Sequence, residues 1–424
     1  VYRPSDRSPL LPALAPESPL GDFLRYAALR HPKVEAAYYD WAASIERITT
    51  ARSLPDPELS IGINIQKGLE DDVASMITAI MGGIGMRLPG PGKLQARADL
   101  ATEASKAEFA RFQLAVVESA LQAQKTYYDL YVVMERLRVT EKNLALVRDF
   151  EEAARRRSEA GRADLRDVLQ AENEAARLEN DAANLHDQKN AIAAAWKSDL
   201  GIPPGEPDPP IPGLFFFSDD RLTSEAAFAD VMTSNPRLRI LQTEIQRAEA
   251  GLAIAYKTKT PDFSAGIEVE APTTRGSGNP RDTIWKPRLG TTLPIWRDRI
   301  AAEIAEAESM KMAARAQYSF EQIALAREFA LNAFGIRETS RNLDVLRKAL
   351  LPRQREIVEV SQRGYQGGMV SYFELIEQQR QLLDLELMEA EGRAQRERLI
   401  GELNLALAGR APSDFAPNAE DVRP

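Results

Sequence analysis

The chain has 424 residues, enough for two or three ordinary domains, and carries 63 acidic against 54 basic side chains, a formal net charge of -9. That balance argues against a duplex nucleic-acid binder, which needs a basic face to neutralise phosphates. There is no cysteine, which excludes disulfides, thiolate metal sites and thiol nucleophiles, and only His31 and His186 could offer imidazole.

Residues 1–20 read as an extended N-terminal segment, "VYRPSDRSPLLPALAPESPL", without the charged, apolar and cleavage regions of a signal peptide. Either the chain is cytoplasmic or a targeting segment has been removed, and composition leaves both open. No apolar run approaches the ~20 residues of a membrane-spanning helix. A first helix is expected over 21–53. "ELSIGINIQ" (58–66) then alternates Leu59, Ile61, Ile63 and Ile65 with Ser60, Gly62, Asn64 and Gln66, the period of a strand with one apolar and one polar face. Its partner is "MITAIMGGIGMRL" (76–88), across a polar tip, "KGLEDDVAS", so a hairpin is expected over 58–88.

From Lys93 to Ala160 there is neither proline nor glycine, and helix formers dominate. A helix over 93–160 would be on the order of 100 Å long, for which a compact globule has no use. Phe109, Phe112, Val116, Ala120, Ala123, Tyr127, Leu130, Met134 and Leu137 step by three and four along it. Leu114, Val117, Leu121, Gln124, Tyr128 and Tyr131 form a second seam, nearly opposite the first. Two seams suit a helix with a neighbour on each flank, as in the wall of a tube or inside a bundle. "SEAGRADLRDVLQAEN" (158–173) follows, with Gly161 before a helix over 163–199, and then a proline-rich linker, 201–220.

The plan then repeats over 221–410. Residues 31–63 align without a gap onto 235–267, with Pro32 on Pro236, Pro57 on Pro261, Ser60 on Ser264 and Gly62 on Gly266. The second copy should hold a helix over 223–258, a hairpin over 262–295 and a long helix over 297–363, interrupted by Gly335 and bent near Pro352. A last helix is expected over 371–408, before a tail at 411–424. "YQGGMVSYFELIEQQ" (365–379) repeats the pattern of glycine, five residues and an acid, with Gly368 answering Gly161 and Glu374 answering Asp167. The fold class is mostly α with a small β part and an internal duplication (repeat 1 over 21–200). A sheet polar on one face could lie on a core with the other face in water. It could also belong to a transmembrane barrel, which four strands close only through an oligomer.

Little chemistry assembles. "GPGKLQ" (90–95) fails as a phosphate loop, because Arg87 replaces its first glycine and Leu94 its magnesium-binding hydroxyl. Met76, Met81 and Met86 step by five and change strand face each time, as filling rather than a metal relay. Arg155, Arg156 and Arg157 suit the last turn of a helix. No catalytic residue, metal site or cofactor is expected.

The duplicated order of elements resembles the TolC-like outer-membrane factors, exit ducts of tripartite efflux pumps and type I secretion systems. The resemblance rests on the strand starts "PDPELSIG" and "TPDFSAGI", the junctions "LPGPGKLQAR" and "LPIWRDRIAA" and the two glycine turns, over roughly 20–410. The junction beginning "LPGPGKL" looks most like the heavy-metal efflux branch. The resemblance implies a homotrimer whose four strands per protomer form a twelve-stranded barrel in the outer membrane. An α-helical barrel below it would cross the periplasm. A periplasmic adaptor, an inner-membrane transporter and outer-membrane lipid would be the partners. It also implies that Gly161, Gly367 and Gly368 make the helix-tip turns, that Glu374 and Glu377 ring the channel gate, and that Asp167 and Tyr365 interlock neighbouring coiled coils. Val370 stands where the family has an arginine. The substrate, whether metal, drug or polypeptide, is not encoded. The rival reading is a soluble coiled-coil scaffold that would purify without detergent.

Overall fold

The computed structural model describes residues 11–65, 77–160, 165–213, 215, 217, 225–272 and 283–406. The chain divides into two compact units. One comprises Val1–Tyr38, Arg111–Leu238 and Glu321–Pro424, the other Tyr39–Ala110 and Arg239–Phe320. The helices are α1 (Leu20–Arg30), α2 (Pro32–Arg52), α3 (Lys93–Glu159), α4 (Leu165–Asp199), α5 (Glu225–Ser234) and α6 (Pro236–Lys257). They continue with α7 (Arg297–Val345), α8 (Leu351–Gln366) and α9 (Tyr372–Ala406). The strands are β1 (Glu58–Ile65), β2 (Ile77–Leu88), β3 (Phe263–Pro272) and β4 (Ile284–Thr291).

The long-helix expectation holds: α3 is one helix of 67 residues. Three expectations need correcting. The helix expected over 21–53 is two, parted at His31, and that over 223–258 is two, parted at Asn235. Both residues precede a proline, whose ring pushes its predecessor out of the helical region; His31 sits at φ -64°, ψ 126°. Asn235 then caps α6, its Oδ1 accepting the Arg237 N–H at 2.8 Å while its Nδ2 donates to the Ala406 carbonyl at 2.9 Å. Gly335 does not interrupt α7; a Cβ there would lie 2.9 Å from Leu399, so the glycine permits close helix packing. Pro352 does disturb the helix, through a π-helical turn at Leu346–Leu350 directly before α8. The wider turn accommodates a residue that has no N–H and crowds the carbonyl four residues back.

The core of the first unit surrounds Phe23, Tyr127, Tyr128, Leu130, Trp196 and Leu200, all nearly inaccessible. The linker is pinned onto it. Phe215 packs on Tyr127 and Tyr131 at centroid separations of 4.9 and 5.1 Å, and the Trp196 indole faces the Pro210 carbonyl. Both seams of α3 are partly or fully buried through this region, and only Phe109, at 36% exposed, departs from them.

In the second unit the strands form one antiparallel sheet in the order β1-β2-β3-β4. Register places Leu59 opposite Ile84, Ile84 opposite Ile267 and Val269 opposite Trp285, so one face is apolar across all four strands. That face is open: Leu59 and Ile61 are 76% and 78% exposed and Leu289 is 88% exposed. The opposite face pairs Glu58 with Arg87 at 3.7 Å, Glu270 with Lys286 and Glu268 with Arg288. The expected hairpin tips lie outside the described residues.

Candidate functional site

The second glycine turn shows how the chain reverses between α8 and α9. Gly368 adopts φ 75°, the left-handed conformation that a Cβ makes costly. The Met369 N–H reaches the Gly364 carbonyl at 2.8 Å and the Gly368 N–H the Tyr365 carbonyl at 3.1 Å, the two bonds of a Schellman motif. Ser371 then starts α9. Its Oγ accepts the Glu374 N–H at 3.2 Å, and Glu374 Oε2 accepts the Ser371 N–H at 3.0 Å and its hydroxyl at 3.2 Å. That is a reciprocal capping box, legible as Ser-x-x-Glu although sequence reasoning passed over it. Gly161 lies outside the described residues.

Behind the turn, α3, α4, α8 and α9 share a small core of Val147, Ala171, Leu178, Tyr365, Tyr372 and Leu375. The Tyr365 and Tyr372 rings are 6.0 Å apart, and Phe150 lies 6.5 Å from each, nearly perpendicular to both. Burial, first, and then the neighbouring Tyr365 and the acids Glu174, Glu151 and Asp167 push the Tyr372 phenol well above the ordinary range, so it stays neutral. Its hydroxyl is buried without a hydrogen-bond partner among the described residues.

Beside these rings, Arg380 of α9 grips Glu174 of α4, with Nε donating to Oε1 at 3.0 Å and Nη2 to Oε2. Glu174 is nearly buried, and its bond to the guanidinium raises the Arg380 pKa. This bidentate pair joins the two copies of the chain. No sequence signal marked it, because it links residues 206 apart. Arg155, read as a helix-end cation, also bridges Glu151 at 3.0 Å and Glu172 of α4 at 2.9 Å.

The sequence-derived residues gather unequally. Tyr365 lies within the core, and Asp167, in the first turn of α4, is near enough for its charge to bear on Tyr372. Glu374 is exposed and occupied by the capping box; Glu377, one turn on, is half-exposed and accepts weakly from Gln381 Nε2 at 3.4 Å. The failed phosphate loop serves the fold instead, since Asp262 Oδ1 accepts the Gly90 N–H and the Lys93 ammonium, both at 2.7 Å. A Cβ on Gly90 would come within 2.3 Å of the Pro261 carbonyl, so the turn before α3 lies tight against the start of β3.

Against known proteins, the chain matches the family model for outer membrane efflux proteins over residues 24–198 and 229–409. It is 21% identical over 356 residues to the cobalt-zinc-cadmium resistance protein CzcC of Cupriavidus metallidurans, covering 79% of this chain and 77% of that one. Among solved structures, it is similar to the CmeC outer-membrane channel of Campylobacter jejuni (TM-score 0.79, 12% identity, 99% and 93% of the two chains). It is also similar to CusC (TM-score 0.77, 14% identity, 92% of each chain) and to VceC of Vibrio cholerae (TM-score 0.73, 17% identity, 92% and 96%). A duplicated chain that matches the model in both halves, with two strands and one long helical segment in each, belongs to the outer membrane efflux protein family.

Proposed function

We propose that three copies of this chain assemble into one duct through which an inner-membrane transporter and a periplasmic adaptor pass substrate across the outer membrane. The observation that carries this is the sheet. An apolar face spanning four strands, with β1 and β4 each hydrogen-bonded on one side only among the described strands, would aggregate in water. Lipid covers such a face, and β4 of one copy pairing with β1 of the next removes both edges. The balanced acids and bases of the other face then line the lumen. Exposed Met310, Met312, Phe320 and Ile323 on α7 fit the same assembly, as surface for a neighbouring copy to cover.

At the helix tips, Glu374 and Glu377 supply the carboxylates of the gate, and Asp167 and Tyr365 hold the hairpins in register. Glu374 has one oxygen committed to Ser371, which fixes its carboxylate at the start of α9. The second oxygen is left for cations. Divalent metal ions are the proposed cargo, supported by the likeness to a cobalt-zinc-cadmium resistance protein.

The test is the purified protein in detergent and in planar bilayers. A mass of three chains and cation-selective channels are expected, and replacing both Glu374 and Glu377 with alanine should raise conductance and weaken block by divalent cations. A protein that stays monomeric in plain buffer overturns the duct. Trimeric channels with unchanged block remove the two acids from the aperture.

A further inference from the structure

Where the second unit's strands meet its helices, the fold gathers cations that it does not itself neutralise. Lys257 ends α6 and Lys259 follows it; Arg297 and Arg299 open α7. Arginines at a helix N-terminus face the partial positive charge of the free N–H groups, which Asp298 between them offsets only in part. Arg299 has Glu303 at 2.9 Å, but Lys257, Lys259 and Arg297 make no ion pair with any described residue.

Two of them, Lys259 and Arg297, line a cavity of about 530 Å³ between the end of α6 and the start of α7. Pro294, Ile300, Ala301 and Ile304 wall it. The Lys259 ammonium lies 5.4 Å from the centre of the Tyr256 ring. The one acid on the lining, Glu308, accepts the Tyr256 hydroxyl at 3.1 Å and lies eleven residues beyond Arg297, about 16 Å along the helix. The groove therefore carries two cations, Lys259 and Arg297, against one acid already engaged by Tyr256, with an apolar wall between.

Next to the groove, an exposed apolar segment links β4 to α7. Leu293, Ile295 and Trp296, in the turn between β4 and α7, are 65–71% exposed. Tryptophan between an apolar band and a row of arginines is the composition of a membrane–water interface. The matching junction of the first copy differs, since Lys93 there is engaged by Asp262.

We propose that this groove binds one anionic phospholipid per chain, its phosphate on Lys259 and Arg297 and an acyl chain along Pro294, Ile300 and Ile304. The site rests on the outer-membrane trimer proposed above. It would anchor the start of α7 to the leaflet nearest the helices.

The probe is phosphatidylglycerol. Full-length protein is reconstituted into nanodiscs of phosphatidylcholine with or without phosphatidylglycerol, and lipid retained by the released trimer is measured by native mass spectrometry. Phosphatidylglycerol should be retained in preference. Replacing Lys259 and Arg297 together with alanine should lower its retention roughly thirtyfold, from two cations near an anionic headgroup. Trimer mass and conductance should not change, and the double replacement Lys259→Arg and Arg297→Lys should restore retention. Equal retention of both lipids, or equal retention by wild type and the alanine variant, overturns this inference alone. Failure to form a membrane-inserted trimer overturns it together with the duct.

Discussion

The Arg380–Glu174 pair gives the sharpest test of how the two copies are joined, because its partners are unequally buried. The Glu174 side chain is 10% exposed, the Arg380 side chain 37%. Replacing Arg380 with methionine keeps most of the packing but leaves a carboxylate in the helix interior with neither of its two bonds. Stranding a buried charge costs about 3–5 kcal/mol. Because water already reaches the guanidinium and could follow it to the carboxylate, about 2–3 kcal/mol is expected. Glu174→Gln should cost only about 1 kcal/mol, since the amide oxygen can keep one bond from the guanidinium and no charge is left stranded in the interior. Replacing both residues with methionine should cost less than Arg380→Met alone. Hydrogen exchange of amides in 165–180 and 372–385 reads these values as local opening free energies, with 2 kcal/mol appearing as roughly thirtyfold faster exchange. Equal effects of the two single variants, or strict additivity in the double, would refute this account of the pair.

Asp262 predicts an acid-sensitive junction. Burial alone would raise its carboxyl pKa, but the Lys93 ammonium and the Gly90 N–H together hold it below the ordinary 3.8. Its stabilisation is therefore complete above that value and is lost as pH falls through the lower folded value. Acid unfolding followed by tryptophan fluorescence should show Asp262→Asn to be less stable at neutral pH and to have lost this part of the acid transition. Coincident curves would remove the clasp. The π-helical turn predicts a soft point in the second long helix: amides of 346–351 should exchange faster than those in the middle of α3, and Pro352→Ala should slow them by restoring a donor. Unchanged exchange in the variant would mean that the proline is not the cause.

The elements themselves were legible because their signals are local. Alternation marked the strands, an unbroken run of helix formers marked α3, and glycine before a new amphipathic run marked the turn at 368. The misses are of two kinds. His31 and Asn235 were absorbed into single helices although the prolines after them were in plain view; a local rule was available and outweighed by helical periodicity on both sides. Glu174 with Arg380, Asp262 with Lys93, and the strap of Phe215 and Phe217 across Tyr127 and Tyr131 depend on chain segments that meet only after folding. Nothing in the neighbours of Glu174 distinguishes it from the solvated acids around it. The acids proposed for the gate, Glu374 and Glu377, show the reverse case. Their position in the turn could be read from sequence, but the commitment of Glu374 to Ser371 required geometry.

Duplication gave both halves the same plan, and the structure divides the mechanical work between them. α3 is continuous, and through the first unit its side chains are buried on opposite sides, which leaves it one favourable arrangement. The corresponding helix of the second copy carries a π-helical turn some sixteen residues before its glycine turn, a place where hydrogen bonds can be exchanged at little cost. A gate needs an element with two arrangements of similar energy, and among the described residues the π-helical turn of the second hairpin offers one. The contacts that would have to loosen are the ones found between hairpins: Arg380 on Glu174, and Tyr365 and Tyr372 around Phe150. Val370 stands in the turn, and its methyl would lie 2.5 Å from a Cβ on Gly364. In this chain the turn itself is therefore packed closed by small residues, and the charge that clasps the hairpins sits deeper, at Arg380. Opening is expected to run through α8 and α9 against a fixed α3 and α4, with that ion pair as the first contact to yield.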